Sequence, residues 1–246
     1  MGTSSPYSPP YGGDWSQLKG DLTSLTKDPT NNSLQSKVLS EFVSAIGGSS
    51  GFASSSKMGT KGGSFSSVTG RKVAQSIGDF LASIQTKGLK ETLKERNLEH
   101  LAEKNIDDIK EELVEYFADP AIDGDSIAAR KAIDKVIDDK LKNVKDLEEL
   151  EKVLGSVELE SILCDFFANY ISELFYRTFE EEYQNKNNVE PRDAARVLKE
   201  IEKDIKQRVK SCQIDKPLAT LDWQSQEAQA IIQEILSDSL ELIKGE

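Results

Sequence analysis

The sequence predicts an all-α protein, an irregular helical bundle preceded by a flexible N-terminal arm and a Ser/Gly-rich linker. Three observations lead there. Apolar residues recur every three or four positions through almost all of the chain after Arg71, strand-like alternation of apolar and polar residues is missing over any useful length, and Gly, Pro and capping residues punctuate the periodic runs. A hydrophobic fraction of 37% in 246 residues is enough for a sizeable core once the Ser/Gly-rich part is set aside.

Residues 1–32 read as a flexible arm with one weak short helix. Residues 1–13 carry no charge, and Pro6, Pro9 and Pro10 keep that backbone extended. Trp15, Leu18, Leu22 and Leu25 then fall at helical spacing, weakened by Gly20 and the Thr/Ser content and ended by Asp28-Pro29. Residues 33–70 read as a short helix and a linker. Ser33 caps a helix carrying Leu34, Val38, Phe42 and Ile46, and Gly47-Gly48 stops it. From Gly47 to Gly70 the composition is mostly Gly and Ser, with Phe52, Met58 and Phe65 as isolated apolar anchors, so a mobile linker is expected.

Residues 71–246 read as a helical domain of seven or eight helices. Val73, Ile77, Phe80, Leu81 and Ile84 form one face, closed by Gly88, and a short segment with Leu89, Leu93 and Leu98 follows. Asn105 caps a helix with Ile106, Ile109, Leu113, Val114 and Phe117 inward, broken by Asp119-Pro120. After the Asp123-Gly124-Asp125 turn, Ile127, Ala129, Ala132, Ile133, Val136, Ile137 and Leu141 mark the next helix. From Ser156 to about Tyr183 the apolar stripe is wider than a surface helix needs, so that helix must be covered on more than one side. Pro191 to Cys212 shows a narrow seam of Ala194, Leu198, Ile201, Ile205 and Val209, as an outer helix would. A last helix, capped by Asp222, carries Ala228, Ile231, Ile232, Ile235, Leu236 and Ile243.

Charge bounds the partners. Residues 1–72 hold four acids against seven bases, a net of +3, which leaves −15 for the rest of a chain whose total is −12. An acidic body repels phosphate backbones, so direct nucleic-acid binding is not expected and protein partners are. Two cysteines make no disulfide framework, and the uncharged run from Phe42 to Ser56 is too polar to span a membrane. A cytoplasmic, reduced setting is expected.

The chain is poor in catalytic chemistry. His100 is its single histidine and lies in a polar context, which removes His-based triads and His-rich metal sites. Cys164 sits beside Phe166 and Phe167 and reads as a buried inert thiol, while Cys212 reads as partly exposed. The stretch from Met58 to Ser64 is glycine-rich and contains Lys61, but it lacks the phosphate-loop order and follows no strand. Asp119, Asp123 and Asp125 lack the ligand order and closing glutamate of a calcium loop.

What remains is the N-terminus. A small residue after the initiator Met favours its removal, exposing Gly2, whose α-amine is the least hindered a polypeptide can offer. With a pKa near 7.7–8.0, roughly a tenth or more of such amines are unprotonated at neutral pH. From Gly2 to Gly13 the chain can reach about 35–40 Å, far enough to enter a deep active site. Pro6 stands where myristoylation wants Ser or Thr, and Tyr11 directly after Pro10 misses the Pro-Pro-x-Tyr pattern.

The opening Met1-Gly2-Thr3-Ser4-Ser5 with Tyr7, the Gly47-Gly48 break, and the segment Ile122-Asp123-Gly124-Asp125-Ser126-Ile127-Ala128-Ala129-Arg130-Lys131-Ala132 together resemble the QatB family, the small helical component of Qat anti-phage defence systems. That resemblance implies a non-enzymatic subunit working with a QueC-like enzyme, an ATPase and a TatD-like nuclease. It further implies that Gly2 accepts a 7-deazaguanine group as an amide, with Thr3, Ser4, Ser5, Pro6 and Tyr7 held by the QueC-like partner. ATP and the 7-deazaguanine precursor would belong to that partner, and this chain would carry no cofactor or metal of its own. The alternative is an acidic helical adaptor whose tail stays unmodified; an enzyme of unknown type is a third reading.

Overall fold

The computed structural model describes residues 13–55, 66–120, 123–184, 190–212 and 218–245, with backbone only at 13–14 and 180–184. Among them are eleven α-helices, two short 3-10 turns and no strand, in agreement with the all-α expectation. The helices are α1 (Gly13–Leu25), α2 (Asn32–Ala45), α3 (Ser49–Ala53), α4 (Val68–Lys87), α5 (Leu89–Glu95), α6 (Ile106–Phe117), α7 (Gly124–Lys140), α8 (Leu147–Ser156), α9 (Leu159–Gln184), α10 (Pro191–Val209) and α11 (Gln226–Lys244).

The wide stripe on α9 has the predicted cause. At 26 residues it spans about 39 Å, and α4, α7, α10 and α11 all pack on it. Phe166, Phe167, Tyr170, Ile171, Phe175 and Phe179 are accordingly fully buried or nearly so. By contrast α10 presents the narrow seam of an outer helix, with Ala194, Val197, Leu198, Ile201, Ile205 and Val209 inward.

The N-terminal part differs from its sequence reading. Trp15, Leu18, Leu22 and Leu25 of α1 are buried, Trp15 lies 6.4 Å from the Phe179 ring, and Phe42 of α2 meets Phe175 edge-on at 5.0 Å. Residues 13–55 therefore share one apolar cluster with the helices after residue 71. Gly20 and the hydroxyl residues weaken α1 as an isolated helix, but tertiary burial of four large side chains outweighs propensity. Part of the stretch expected to be a mobile linker, Gly47 to Gly70, is packed on the body instead. Gly48, at φ 74°, turns the chain into α3, where Phe52 is buried, and Ser66 through Gly70 lie on the body. Met58 and Phe65 lie outside the described residues.

Most predicted ends hold. Asn105 accepts from the Asp108 amide, and Gly88, at φ 83°, joins α4 to α5. Asn31 rather than Ser33 caps α2, and Ser225 rather than Asp222 caps α11. Asp123 opens α7 through a reciprocal capping box with Ser126. Helix α8 was not foreseen, because it buries only Leu150 and Leu154 fully; its signal was Asp146, whose carboxylate accepts from the Glu149 amide.

Candidate functional site

Gly2, Thr3, Ser4, Ser5, Pro6 and Tyr7 lie outside the described residues. Their root does not. Chain direction fixes α1 as the element that leads back to them, and α1 is held by α2 and by the Trp15 contact with Phe179 near the C-terminal end of α9.

Three residues before Phe179, Tyr176 is 36% exposed, the single large apolar residue exposed to that degree among the described residues. Beside it a pocket of about 210 Å³ opens between α7, α9 and α10. Its lining includes Glu173, which is only 5% exposed. Lys135 binds Glu173 Oε1 at 2.8 Å and Glu202 at 2.9 Å, and Lys206 also reaches Glu202 at 2.9 Å. Burial would lower the Lys135 pKa, but hydrogen bonds to Glu173 and Glu202 outweigh it and raise it. Lys131 lies 3.5 Å from Glu173 Oε2 and 5.9 Å over the Tyr176 ring, yet Oε2 receives no hydrogen bond. Sequence reasoning missed this pocket, because its carboxylates and lysines come from three helices and look like ordinary solvated charges one at a time.

The segment that carries the sequence resemblance has a structural role residue by residue. Asp125, at the start of α7, accepts from the Thr69 amide at 2.8 Å and the Gly70 amide at 3.1 Å. Those amides belong to the first turn of α4, so a carboxylate from another helix satisfies donors that α4 cannot satisfy itself. Ala128, Ala129 and Ala132 are fully buried and let α7 pack closely on α9. Arg130 donates to the Ala118 carbonyl just past α6 at 3.2 Å, and Lys131 serves the Glu173 pocket. The Asp123-Gly124-Asp125 run is thus helix-opening chemistry, as its failed calcium pattern implied.

This also bears on the glycine-rich stretch before α4. A phosphate loop would deliver its anion to the first turn of the following helix. Here the Asp125 carboxylate already occupies that place. The ends of the stretch are fastened as well: the Ser67 amide donates to Ser55 Oγ at 3.1 Å, and Arg71 donates to the Ser55 carbonyl and to Ser67 Oγ.

His100 is exposed and pairs with Glu112, which Lys104 also contacts, so it is a surface residue as expected. Cys212 is a correction: it is buried, like Cys164. Interaction with the Cys212 thiol, together with burial, pushes the Cys164 thiol up, while the same interaction brings the Cys212 thiol down. Their helical segments, α9 and the end of α10, are 48 positions apart in sequence, which hid the pairing. Among the described residues no group of three or more His, Cys, Asp or Glu could hold a metal ion, and no helix is long and apolar enough to cross a membrane.

A family model described as Qat anti-phage system associated protein QatB matches residues 58–243, which includes the Asp123–Ala132 segment and the whole α9 pocket but not the N-terminal pentapeptide. No curated protein and no solved structure matches the chain.

Proposed function

The chain belongs to the QatB family and so has a role in the Qat anti-phage system with partner proteins of that system; within it, we propose that the chain is a non-enzymatic subunit whose Gly2 amine is conjugated by a QueC-like enzyme. The supporting observation is the rooted tail. An uncharged stretch ending in a primary glycine amine is tethered to a firmly packed helix, α1, so a partner that grips the body gains a high local concentration of the amine.

In the proposed step the unprotonated Gly2 nitrogen attacks the carboxyl carbon of an ATP-activated 7-carboxy-7-deazaguanine. The N–C amide bond forms, the bond from that carbon to the phosphate oxygen breaks, adenylate leaves, and the amine proton passes to solvent or a partner base. The partner supplies ATP and precursor; this chain supplies the nucleophile and its presentation. Glycine suits the closed end of such a tunnel because it has no Cβ to clash and accepts any required φ. Thr3, Ser4, Ser5, Pro6 and Tyr7 are the residues the tunnel would hold. The acidic body, at −15 after residue 72, suits docking on a basic protein face rather than on nucleic acid. A cytoplasmic setting and an ATPase and TatD-like nuclease as further partners complete the proposal.

The test is the mass of the N-terminal peptide from the chain purified with its co-encoded proteins. A Gly2 amide of 7-deazaguanine is expected. An unmodified Gly2 throughout the native complex overturns the proposal and leaves an acidic helical adaptor in its place.

A further inference from the structure

Two features occupy adjacent positions near the C-terminal end of α9. Phe179 receives Trp15 and so fixes the root of residues 1–12, while Tyr176, three residues earlier, is exposed. Helix residues three apart are neighbours, about 5–6 Å between Cβ atoms. The tail's root and Tyr176 therefore share one end of the body.

Glu173 is buried in the wall of the pocket beside Tyr176, with Oε1 2.8 Å from Lys135 and Oε2 3.5 Å from Lys131, so each oxygen faces a cation. Lys131 and Lys135 balance Glu173 and Glu202 in the lining, so the local field gives no advantage to a charged ligand. A volume of about 210 Å³ admits one side chain, not a helix. What fits is an uncharged side chain, carried on a segment apolar enough to cover Tyr176.

We infer that the Glu173–Tyr176 pocket is the docking point on the body for the enzyme that modifies the tail, filled by one uncharged side chain from a loop of that enzyme. The inference rests on the conjugation proposal. An enzyme holding residues 2–7 grips a tail whose six steps from Tyr7 to Gly13 reach about 20 Å when extended. The tail is rooted at the α9 end that anchors α1, and the recess there beside an exposed aromatic side chain is the Tyr176 pocket.

The experiment places a benzoylphenylalanine photocrosslinker at position 176 of the full chain, co-expressed with the rest of its system. A crosslink to the enzyme that modifies Gly2 is expected. Tyr176→Glu, with the gentler Tyr176→Ser beside it, should weaken association of the full chain with that enzyme at least tenfold at an unchanged melting temperature. A synthetic peptide of residues 2–13 should be modified at one rate whichever full-length variant accompanies it, since it has no pocket. If Gly2 is modified but both variants bind as wild type does, or if position 176 crosslinks only to residues 1–12 of its own chain, the docking inference falls and conjugation stands. If Gly2 is never modified in the wild-type complex, conjugation falls and this inference with it.

Discussion

Tyr170 and Asp125, 45 positions apart in the chain, share a 2.7 Å hydrogen bond in the interior, with the Tyr170 hydroxyl donating to Oδ1. The same carboxylate holds the Thr69 and Gly70 amides, so one side chain from α7 joins the start of α4 to the centre of α9. Burial and the neighbouring Asp125 carboxylate push the Tyr170 hydroxyl well above its ordinary pKa, so it stays protonated and remains a donor.

Removing that carboxylate strands the Thr69 and Gly70 amides, while the Tyr170 hydroxyl keeps the Ser66 carbonyl at 3.2 Å. An unsatisfied buried donor costs about 1–3 kcal/mol, so Asp125→Ala should destabilise the fold by about 2 kcal/mol or more. Tyr170→Phe, which keeps the ring and its stacking on Phe166, should cost only about 1 kcal/mol. Urea unfolding of both variants checks the ranking; equal losses would mean the carboxylate does not act as the hub.

Gly70 and Gly78 invert an ordinary rule of helix stability. Glycine to alanine inside a helix normally gains about 1 kcal/mol. Here a Cβ at Gly70 would run into the Tyr170 ring, and one at Gly78 into the Trp223 ring. Both rings are buried and cannot swing aside, so Gly70→Ala and Gly78→Ala should each destabilise by about 1–3 kcal/mol. A rise in melting temperature for either would show that the α4 contact is looser than described.

Acid should act through Glu202. Burial alone would raise its carboxyl pKa, but hydrogen bonds from Lys206 and Lys135 outweigh that and hold it below the ordinary value. A depressed folded pKa gives stability that is present above the unfolded value, near 4.3, and is lost as pH falls through the folded one. Glu202→Gln should therefore melt below wild type at pH 7, with the gap closing in acid beneath about pH 4.3. A gap independent of pH would assign the loss to packing instead.

At the N-terminus, Gly2→Pro should abolish conjugation, because it converts a primary amine into a hindered secondary one, while Gly2→Ala should keep part of it. Deleting residues 2–7 should eliminate defence yet leave the melting temperature unchanged, since Trp15 and the described helices after it share one apolar cluster of their own. Phage plating efficiency and thermal melts decide both points, and full defence by the deletion variant would refute a role for the tail.

Much of the helical order was legible because its signals are local. The 3.6-residue period of α9, the Asn105 cap and the Gly88 break each depend on residues within one or two turns. The Asp123–Ala132 segment could be singled out as a pattern, although nothing in it says that Asp125 faces α4 or that Lys131 faces Glu173. The Glu173 pocket and the thiol pair had no local signal at all, since their members come from separate helices.

The sequence by itself determined the all-α class, most helix boundaries, the acidic body and the lack of charge in residues 1–13, because period, capping and charge are written along the chain. Only tertiary structure decided that α1 to α3 belong to the core, that Asp125 caps a distant helix, and that Glu173 is buried between two lysines beside Tyr176. Burial is a property of what packs against a residue. Gly20 and the Ser/Gly run argue for looseness locally, and the Trp15, Phe42 and Phe52 contacts with α9 override them.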